Sequence, residues 1–351
     1  MAENSITPKK DQSSHKFATT FAEGFDDPRF GTWAREIDVP PKLDSLSKRG
    51  FRILDELTLF LRVIRAAFRD KALLLFSSRG RLKPEILAIL LIGFWPKKVR
   101  PKIVLYGEMF EPNSGFRHVV ERLIMKLVDR VVDRYILFST AELEVFPAMW
   151  GAPKEKIRVC HQFYFPPSQS DEKQPGKSIG SHVFAGGNSF RDYEAFIKAA
   201  GQMPEHEFAV CTTRIAEDEE LPPNVKVSWP PLQEYLDLID TAAAVVIPIK
   251  MGLKRTAGLL TCFESMWLKK PIIVPKALGI EDYIQDKVTG LLVDGTPESY
   301  VEAINWVLDP GNEKAIKEMG RLARKSISEH YTLSKYNNCV LSVMDEVVEI
   351  S

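Results

Sequence analysis

Six residues past Gly258, in the run CFESM, stands the carboxylate of Glu264, and just before that glycine stand Lys254 and Arg255. The surrounding stretch, VVIPIKMGLKRTAGLLTCFESM, reads as strand, loop and helix, with the helix starting near Ala257–Gly258. A glycine there permits a close backbone approach. The first turn of the helix offers free amides and the positive end of its dipole, a ready anion pocket. Lys254 and Arg255 add positive charge beside it. Six helical residues cover about 9 Å, roughly the span between the distal phosphate and the ribose of a nucleoside diphosphate. A carboxylate at that point can accept both ribose hydroxyls. The plain alternative is an exposed glutamate on an amphipathic helix, and spacing alone leaves both readings open.

A second group lies upstream. Glu108, in VLYGEMFEPNSG, follows a strand end and should point into a cleft, as a general base or as a group orienting an acceptor hydroxyl, or else as a turn cap. Arg117 and His118 sit at the next helix start, where they would touch an anionic acceptor or simply face solvent. His161 ends a strand and reads as structural. No Asp-x-Asp follows a strand, and no Walker loop, GxSxG elbow or histidine cluster appears, so no metal site is expected. Cys160, Cys211, Cys262 and Cys339 form no CxxC pair and read as buried free thiols in a reducing compartment.

These groups need elements to hold them. With 351 residues the chain has room for two domains. Residues 1–48 read as irregular, with the first 16 disordered. Helical spacing begins at Phe51, and continuous apolar runs such as ALLLF, KIVLY and RYILF then alternate with helical segments to about residue 167. Such runs argue for a parallel sheet covered on both faces. Residues 166–180 are rich in Pro, Ser and Gly and mark a boundary. The rhythm restarts with SHVFAGG, then EFAVCTT, NVKVSW, AAAVVIPIK, PIIVPK and GLLVD. We therefore expect an α/β chain of two doubly wound, Rossmann-like domains facing across a cleft, over residues 49–167 and 168–333. Helices close the chain, and the last, 334–351, would pack back on the first domain.

Net charge is zero, so the total does not point to nucleic acid. Residues 1–167 hold 28 Lys+Arg against 20 Asp+Glu, a balance of +8, which leaves −8 for the rest. The excess concentrates in residues 51–102, with 12 basic against 4 acidic residues. That asymmetry suits an anionic membrane surface or a solvated basic face. The longest apolar run, Ile86–Trp95, makes about 15 Å of helix, too short to span a bilayer, so it is a core helix or dips into a membrane face. The polar first residues do not read as a signal peptide, so a cytoplasmic protein, peripheral at the inner membrane face, is expected.

Several ordered motifs resemble the C-terminal domain of GT-B-fold glycosyltransferases, especially the large retaining group of family-4-like enzymes, the glycosyl transferases group 1. The stretch GLLTCFESMWLKKPIIV is similar to the second half of that group's Glu-x7-Glu donor site, with Glu264 as the ribose-binding glutamate. LGIEDYIQDKVTGLLVD and FAGGNSFRDYEAFIKAA resemble two further family segments. The resemblance implies a donor site made of Gly186, Gly187, Arg191, Trp229, Pro230, Arg255, Thr256, Gly258, Leu259, Leu260 and Glu264. Arg191 would contact the pyrophosphate, and Trp229 and Pro230 would flank the nucleobase. Glu108, Arg191 and Lys254 would serve transfer, with helix amides and cations stabilising the leaving diphosphate. Two departures stand out: the first glutamate of the pair falls at Thr256, and no strand with a glycine-rich loop is read near the chain start. The resemblance implies metal-independent, retaining transfer of a hexose from a nucleotide sugar to a hydroxyl acceptor. UDP-sugar is the first choice of donor and GDP-sugar the second, and a lipid-linked or polysaccharide-precursor acceptor is expected. No cofactor is expected beyond the nucleotide-sugar substrate, and no nucleic-acid partner. Thr256 also leaves open a nucleotide-binding or partner subunit without turnover, and the fold a nucleotide-sugar epimerase.

Overall fold

Alternate residues of the second domain's strands go to opposite faces, and each face meets its own core. Val183, Ala185, Phe208, Val210, Val246 and Ile273 join one apolar cluster, with Phe196 and Tyr300. Phe184, Cys211, Val245, Ile247, Ile272 and Val274 join the other, with Phe263 and Tyr283. A strand has period two, so a run apolar at every position must be covered on both sides. The computed structural model describes residues 15–40, 53–77, 82–107, 111–166, 182–216 and 218–349. Their contacts divide the chain into two units. One comprises Met1–Ile136, Trp150–Arg158 and Asn337–Ser351, the other Leu137–Met149 and Val159–Tyr336.

The first sheet holds β1 (Phe17–Thr19), β2 (Ala34–Glu36), β3 (Ala72–Phe76), β4 (Lys102–Tyr106), β5 (Arg134–Leu137) and β6 (Ile157–Val159) in the order β2-β1-β3-β4-β5-β6. Its pairs β1–β2, β1–β3, β3–β4 and β4–β5 are parallel. With it in the first unit go α1 (Phe30–Trp33), α2 (Ile53–Arg69), α3 (Pro84–Ile92), α4 (Phe116–Asp129) and most of α11 (Leu333–Glu349), whereas α5 (Glu142–Trp150) falls almost wholly in the second. Residues 17–36, read as irregular from the sequence, supply two strands and a short helix. Three-residue strands are too short to show a period, and tertiary packing forms them: Phe17, Ala18 and Phe30 are fully buried. Helix α3 is a core helix, with Ile86, Ala88, Ile89 and Ile92 buried. Among the described residues no helix is long and apolar enough to cross a membrane.

The second sheet holds β7 (Val183–Gly186), β8 (Phe208–Cys211), β9 (Val225–Ser228), β10 (Ala244–Val246), β11 (Ile272–Pro275) and β12 (Leu291–Val293) in the order β12-β11-β10-β7-β8-β9. Helices α6 (Tyr193–Gly201), α7 (Leu232–Thr241), α8 (Leu259–Trp267), α9 (Pro297–Leu308) and α10 (Glu313–His330) accompany it. Counted within the unit, this is the Rossmann order, and it reverses between β7 and β10. Ligands of open parallel sheets bind at such a reversal, beyond the carboxyl ends of the strands.

Cys211 and Cys262 are buried free thiols. Cys160 and Cys339, expected to be free, are disulfide-bonded instead. Neither stands in a spacing pattern that marks a disulfide in the sequence.

Candidate functional site

The carboxyl end of β7 is Gly186, followed by Gly187 with φ 113°, a conformation that side chains rarely adopt. Both glycines are required by what lies against them. A Cβ on Gly187 would sit 2.7 Å from the Arg191 Nη2, and a Cβ on Gly186 would sit 2.6 Å from the Tyr235 hydroxyl. Arg191 folds back over this turn. Its Nε donates to the Gly186 carbonyl at 3.0 Å, Nη1 to the Ser189 carbonyl at 2.8 Å, and Nη2 to Thr261 Oγ1 at 3.4 Å. Three of its five N–H donors are thus used for orientation, and the others remain for an anion.

The loop carrying Arg191 is pinned to the segment after β10. Lys250 N donates to the Phe190 carbonyl at 2.9 Å and Asp192 N to the Pro248 carbonyl at 2.7 Å, bracketing an Arg191–Ile249 bridge. Phe190 is held at φ 56°, a strained conformation for a bulky residue that costs on the order of 1–3 kcal/mol. Asn188 fastens the loop from the other side, its Oδ1 accepting from the Thr212 hydroxyl and Thr213 N, both at 2.8 Å. Asn188, Ser189, Phe190, Arg191 and Arg214 line a cavity of about 310 Å³.

Helix α8 faces the same reversal. Its N-cap is Gly258, at φ 80°, with no side-chain cap on the first amides. A Cβ on Gly258 would lie 2.6 Å from Ile249 Cδ1, so glycine is what lets the helix start so close to the strand end. Leu259, Cys262, Phe263 and Met266, at i, i+3, i+4 and i+7, plug into the core. This explains the bulky neighbours of Glu264: they anchor the helix. Thr261 joins the helix to the rest of the site, with its Oγ1 3.4 Å from Arg191 Nη2 and 3.3 Å from the Tyr235 hydroxyl. Trp229 stands edge-on to Tyr235 at 6.3 Å, 53% exposed. Pro230 beside it is half-buried.

Glu264 sits one turn beyond Leu260. Leu260 is exposed, whereas Glu264 is only 6% exposed. Its carboxylate makes no hydrogen bond among the described residues. Burial alone pushes its pKa up to about 8, and no cation offsets that cost. The Tyr164 and Tyr235 phenols are raised by burial, and the Glu264 charge adds to both. The reading of Glu264 as an exposed surface glutamate is therefore excluded. The Glu264 oxygens are not among the fully enclosed polar atoms that lack a partner, so water still reaches them, and a ligand bringing hydroxyl or N–H groups would take the place of that water.

The remaining sequence-derived residues fall in different places. Arg255 is buried, its guanidinium 5.1 Å from the centre of the Phe190 ring and its Nε 3.3 Å from the Thr256 carbonyl. It supports the loop from behind, while Lys254 is exposed. Thr256 is buried, and its hydroxyl lies 2.7 Å from Ser139 Oγ and 3.1 Å from Glu142 Oε2. Glu142 also accepts from Ser139 N at 3.0 Å and Ser139 Oγ at 2.9 Å, which ties the start of α5 to the turn before it. Burial raises the Glu142 pKa, although these hydrogen bonds oppose the shift. His161 Nε2 lies 3.1 Å from Asp282 Oδ2, with its ring edge-on to Tyr283, a structural contact. Arg117 and His118 lie on α4 in the first unit. Glu108 lies outside the described residues.

Residues 190–326 match Glycosyl transferases group 1. Arg191, Trp229, Pro230, Lys254–Gly258 and Glu264 all fall within this glycosyl transferases group 1 segment, and Gly186 and Gly187 lie just ahead of it. Three solved structures share the fold. A glycosyltransferase from Rickettsia africae ESF-5 aligns with a TM-score of 0.61 at 14% identity, over 93% of this chain and 88% of that one. HepE from Anabaena, solved in complex with UDP, aligns at 0.64 and 15%, over 90% and 86%. Sucrose-phosphate synthase from Thermosynechococcus elongatus aligns at 0.62 and 14%, over 91% and 84%. The architecture is thus that of the GT-B glycosyltransferases, two α/β units each built on a six-stranded parallel sheet. A search of curated proteins found no match.

Sequence reasoning passed over Asn188, Phe190, Arg214, Tyr235 and Thr261. Only Asn188 and Phe190 carried a signal, through their place in the glycine turn GGNSFR.

Proposed function

We propose that this protein is a nucleotide-sugar-dependent hexosyltransferase that uses a UDP-sugar. The observation that carries the reading is Glu264: a glutamate only 6% exposed whose carboxylate takes no hydrogen bond from the described residues, on the flank of a helix whose uncapped start faces Arg191. Ribose hydroxyls would satisfy it, the diphosphate would take the free N–H groups of Arg191 and the first amides of α8, and the base would lie toward Trp229. The segment match and the UDP complex of HepE support this choice of nucleotide. Cationic protein groups meet the diphosphate charge in this reading, so transfer is metal-independent. Bond breaking leaves charge on the β-phosphate oxygen, where Arg191 and the helix amides are already oriented, so little reorganisation is needed. Glu108 would orient the acceptor hydroxyl. We read the transfer as retaining and the acceptor as lipid-linked or a polysaccharide precursor at a membrane surface, consistent with the basic excess of residues 51–102.

The test is thermal stability against UDP, GDP, ADP and dTDP. A ligand at one hundred times its Kd stabilises by about 2.7 kcal/mol. UDP should stabilise the wild type and fail with Glu264→Gln, and UDP-glucose should be consumed with an acceptor extract. No shift with any nucleotide would refute the reading. A second reading, nucleotide binding without turnover, is favoured by the Thr256 hydroxyl, which is engaged by Ser139 and Glu142. UDP binding with no transfer from any UDP-hexose would select it. A nucleotide-sugar epimerase would convert one sugar into another with no acceptor present.

A further inference from the structure

Helix α4 is inside out. Only Met125 and Val128 of its 14 residues are buried apolar side chains. Phe116 is 80% exposed, Val119 61%, Leu123 59%, and Val120 and Leu127 40% each. These five stand at i, i+3, i+4, i+7 and i+11, which at 100° per residue is one continuous stripe. Isolated exposed apolar residues need no explanation, but a contiguous stripe marks an interaction surface.

The charges say what kind. On the same helical wheel Arg117 flanks the stripe on one side, and Arg122 and Lys126 flank it on the other. All three are exposed, and among the described residues none is in a salt bridge. The acids of the helix are engaged away from them, Glu121 by Asn113 N at 3.0 Å and Asp129 by Lys156 at 3.1 Å. At the C-terminal end the neighbouring turn joins in. A Cβ on Gly93 would lie 3.0 Å from Val131, and Arg100 Nη2 lies 3.5 Å from the Arg130 carbonyl. This brings exposed Phe94, Lys97 and Lys98 to the same end.

We propose that α4 is a docking helix that lies in the surface of an anionic lipid bilayer. Its stripe would enter the boundary between headgroups and acyl chains, while Arg117, Arg122 and Lys126 reach lipid phosphates from both sides. A second copy of the chain fits less well, because a two-fold contact would set these unpaired cations against themselves. The inference deepens the membrane-surface acceptor of the proposed function and rests on that reading for its purpose. It also moves the main membrane contact from the helix of the run Ile86–Trp95, where Ile86, Ala88, Ile89 and Ile92 are buried, to α4, with Phe94 at the end of that run joining it.

Co-sedimentation of the full chain with vesicles tests it, using phosphatidylcholine alone and phosphatidylcholine mixed with phosphatidylglycerol. The chain should bind the mixed vesicles and not the neutral ones, and less at high salt. Phe116→Ser/Leu123→Ser should weaken binding at least about tenfold, and Arg122→Glu/Lys126→Glu should abolish the preference for anionic lipid. These positions are exposed, so melting temperature and UDP-induced stabilisation should be unchanged in both variants. Unaltered binding by both variants would overturn the proposal. So would a lipid-free dimer that the serine variant dissociates. If UDP gives no stabilisation while vesicle binding follows the variants, the donor reading fails and the docking helix stands.

Discussion

Replacing Glu264 by glutamine should stabilise the protein, and by an amount that depends on pH. In the folded chain burial pushes the Glu264 pKa up to about 8, from an ordinary value of 4.5. Between those values the folded state binds a proton that the unfolded state releases, so stability falls as pH rises from about 4.5 to about 8 and then levels off. Each pK unit is worth about 1.4 kcal/mol. The difference between glutamine variant and wild type should therefore be near zero at pH 4.5, about 3 kcal/mol at pH 7, and about 5 kcal/mol above pH 8. Protonated glutamic acid and glutamine bury a neutral group of similar size, and all other titrating groups cancel in the comparison. Urea denaturation at pH 5, 7 and 9, followed on both proteins, measures the three differences. A gap that does not change with pH, or a glutamine variant less stable throughout, would refute the claim that this carboxylate is buried without a partner.

Other outcomes follow from the same geometry. Gly187→Ala places a Cβ against the Arg191 guanidinium, so it should weaken UDP binding at least about tenfold and cost about 1–2 kcal/mol, read by calorimetry and denaturation. Arg191→Lys loses a fork that bonds Gly186, Ser189 and Thr261. It should weaken UDP by about tenfold to a hundredfold while leaving uridine nearly unaffected. Glu142→Ala removes the acceptor shared by Ser139 N, Ser139 Oγ and Thr256 Oγ1. It should cost about 2–4 kcal/mol, and Glu142→Gln clearly less, in a denaturation series.

The fold was largely legible because parallel strands covered on both faces are written as unbroken apolar runs. Such runs sit at β3, β4 and β5 and throughout the second sheet. Legibility failed at FAT and ARE, three residues each, which become β1 and β2 only through what packs on them. It failed again at Cys160 and Cys339, since nothing in their sequence setting marks them as disulfide-bonded. At the site, Glu264, Arg191 and the glycines announced themselves by type and spacing around the two strand ends that meet at the reversal. Three facts came only from the structure: that no described residue donates to Glu264, the use of the Thr256 hydroxyl by Ser139 and Glu142, and the burial of Arg255 against Phe190. Each depends on segments brought together from elsewhere in the chain, where no local pattern records the meeting.

The central claim is that Glu264 waits, protonated, for the ribose of a nucleotide. Titration calorimetry of UDP at pH 7, in two buffers of different ionisation enthalpy, tests it most directly. Ribose hydroxyls that donate to the carboxylate favour its charged form, so binding should release close to one proton. The affinity of the wild type should also rise by up to about tenfold per pH unit below pH 8. Glu264→Gln should bind UDP far more weakly, with no proton release. Equal UDP affinity in wild type and variant, or wild-type binding with no proton released, would contradict the account.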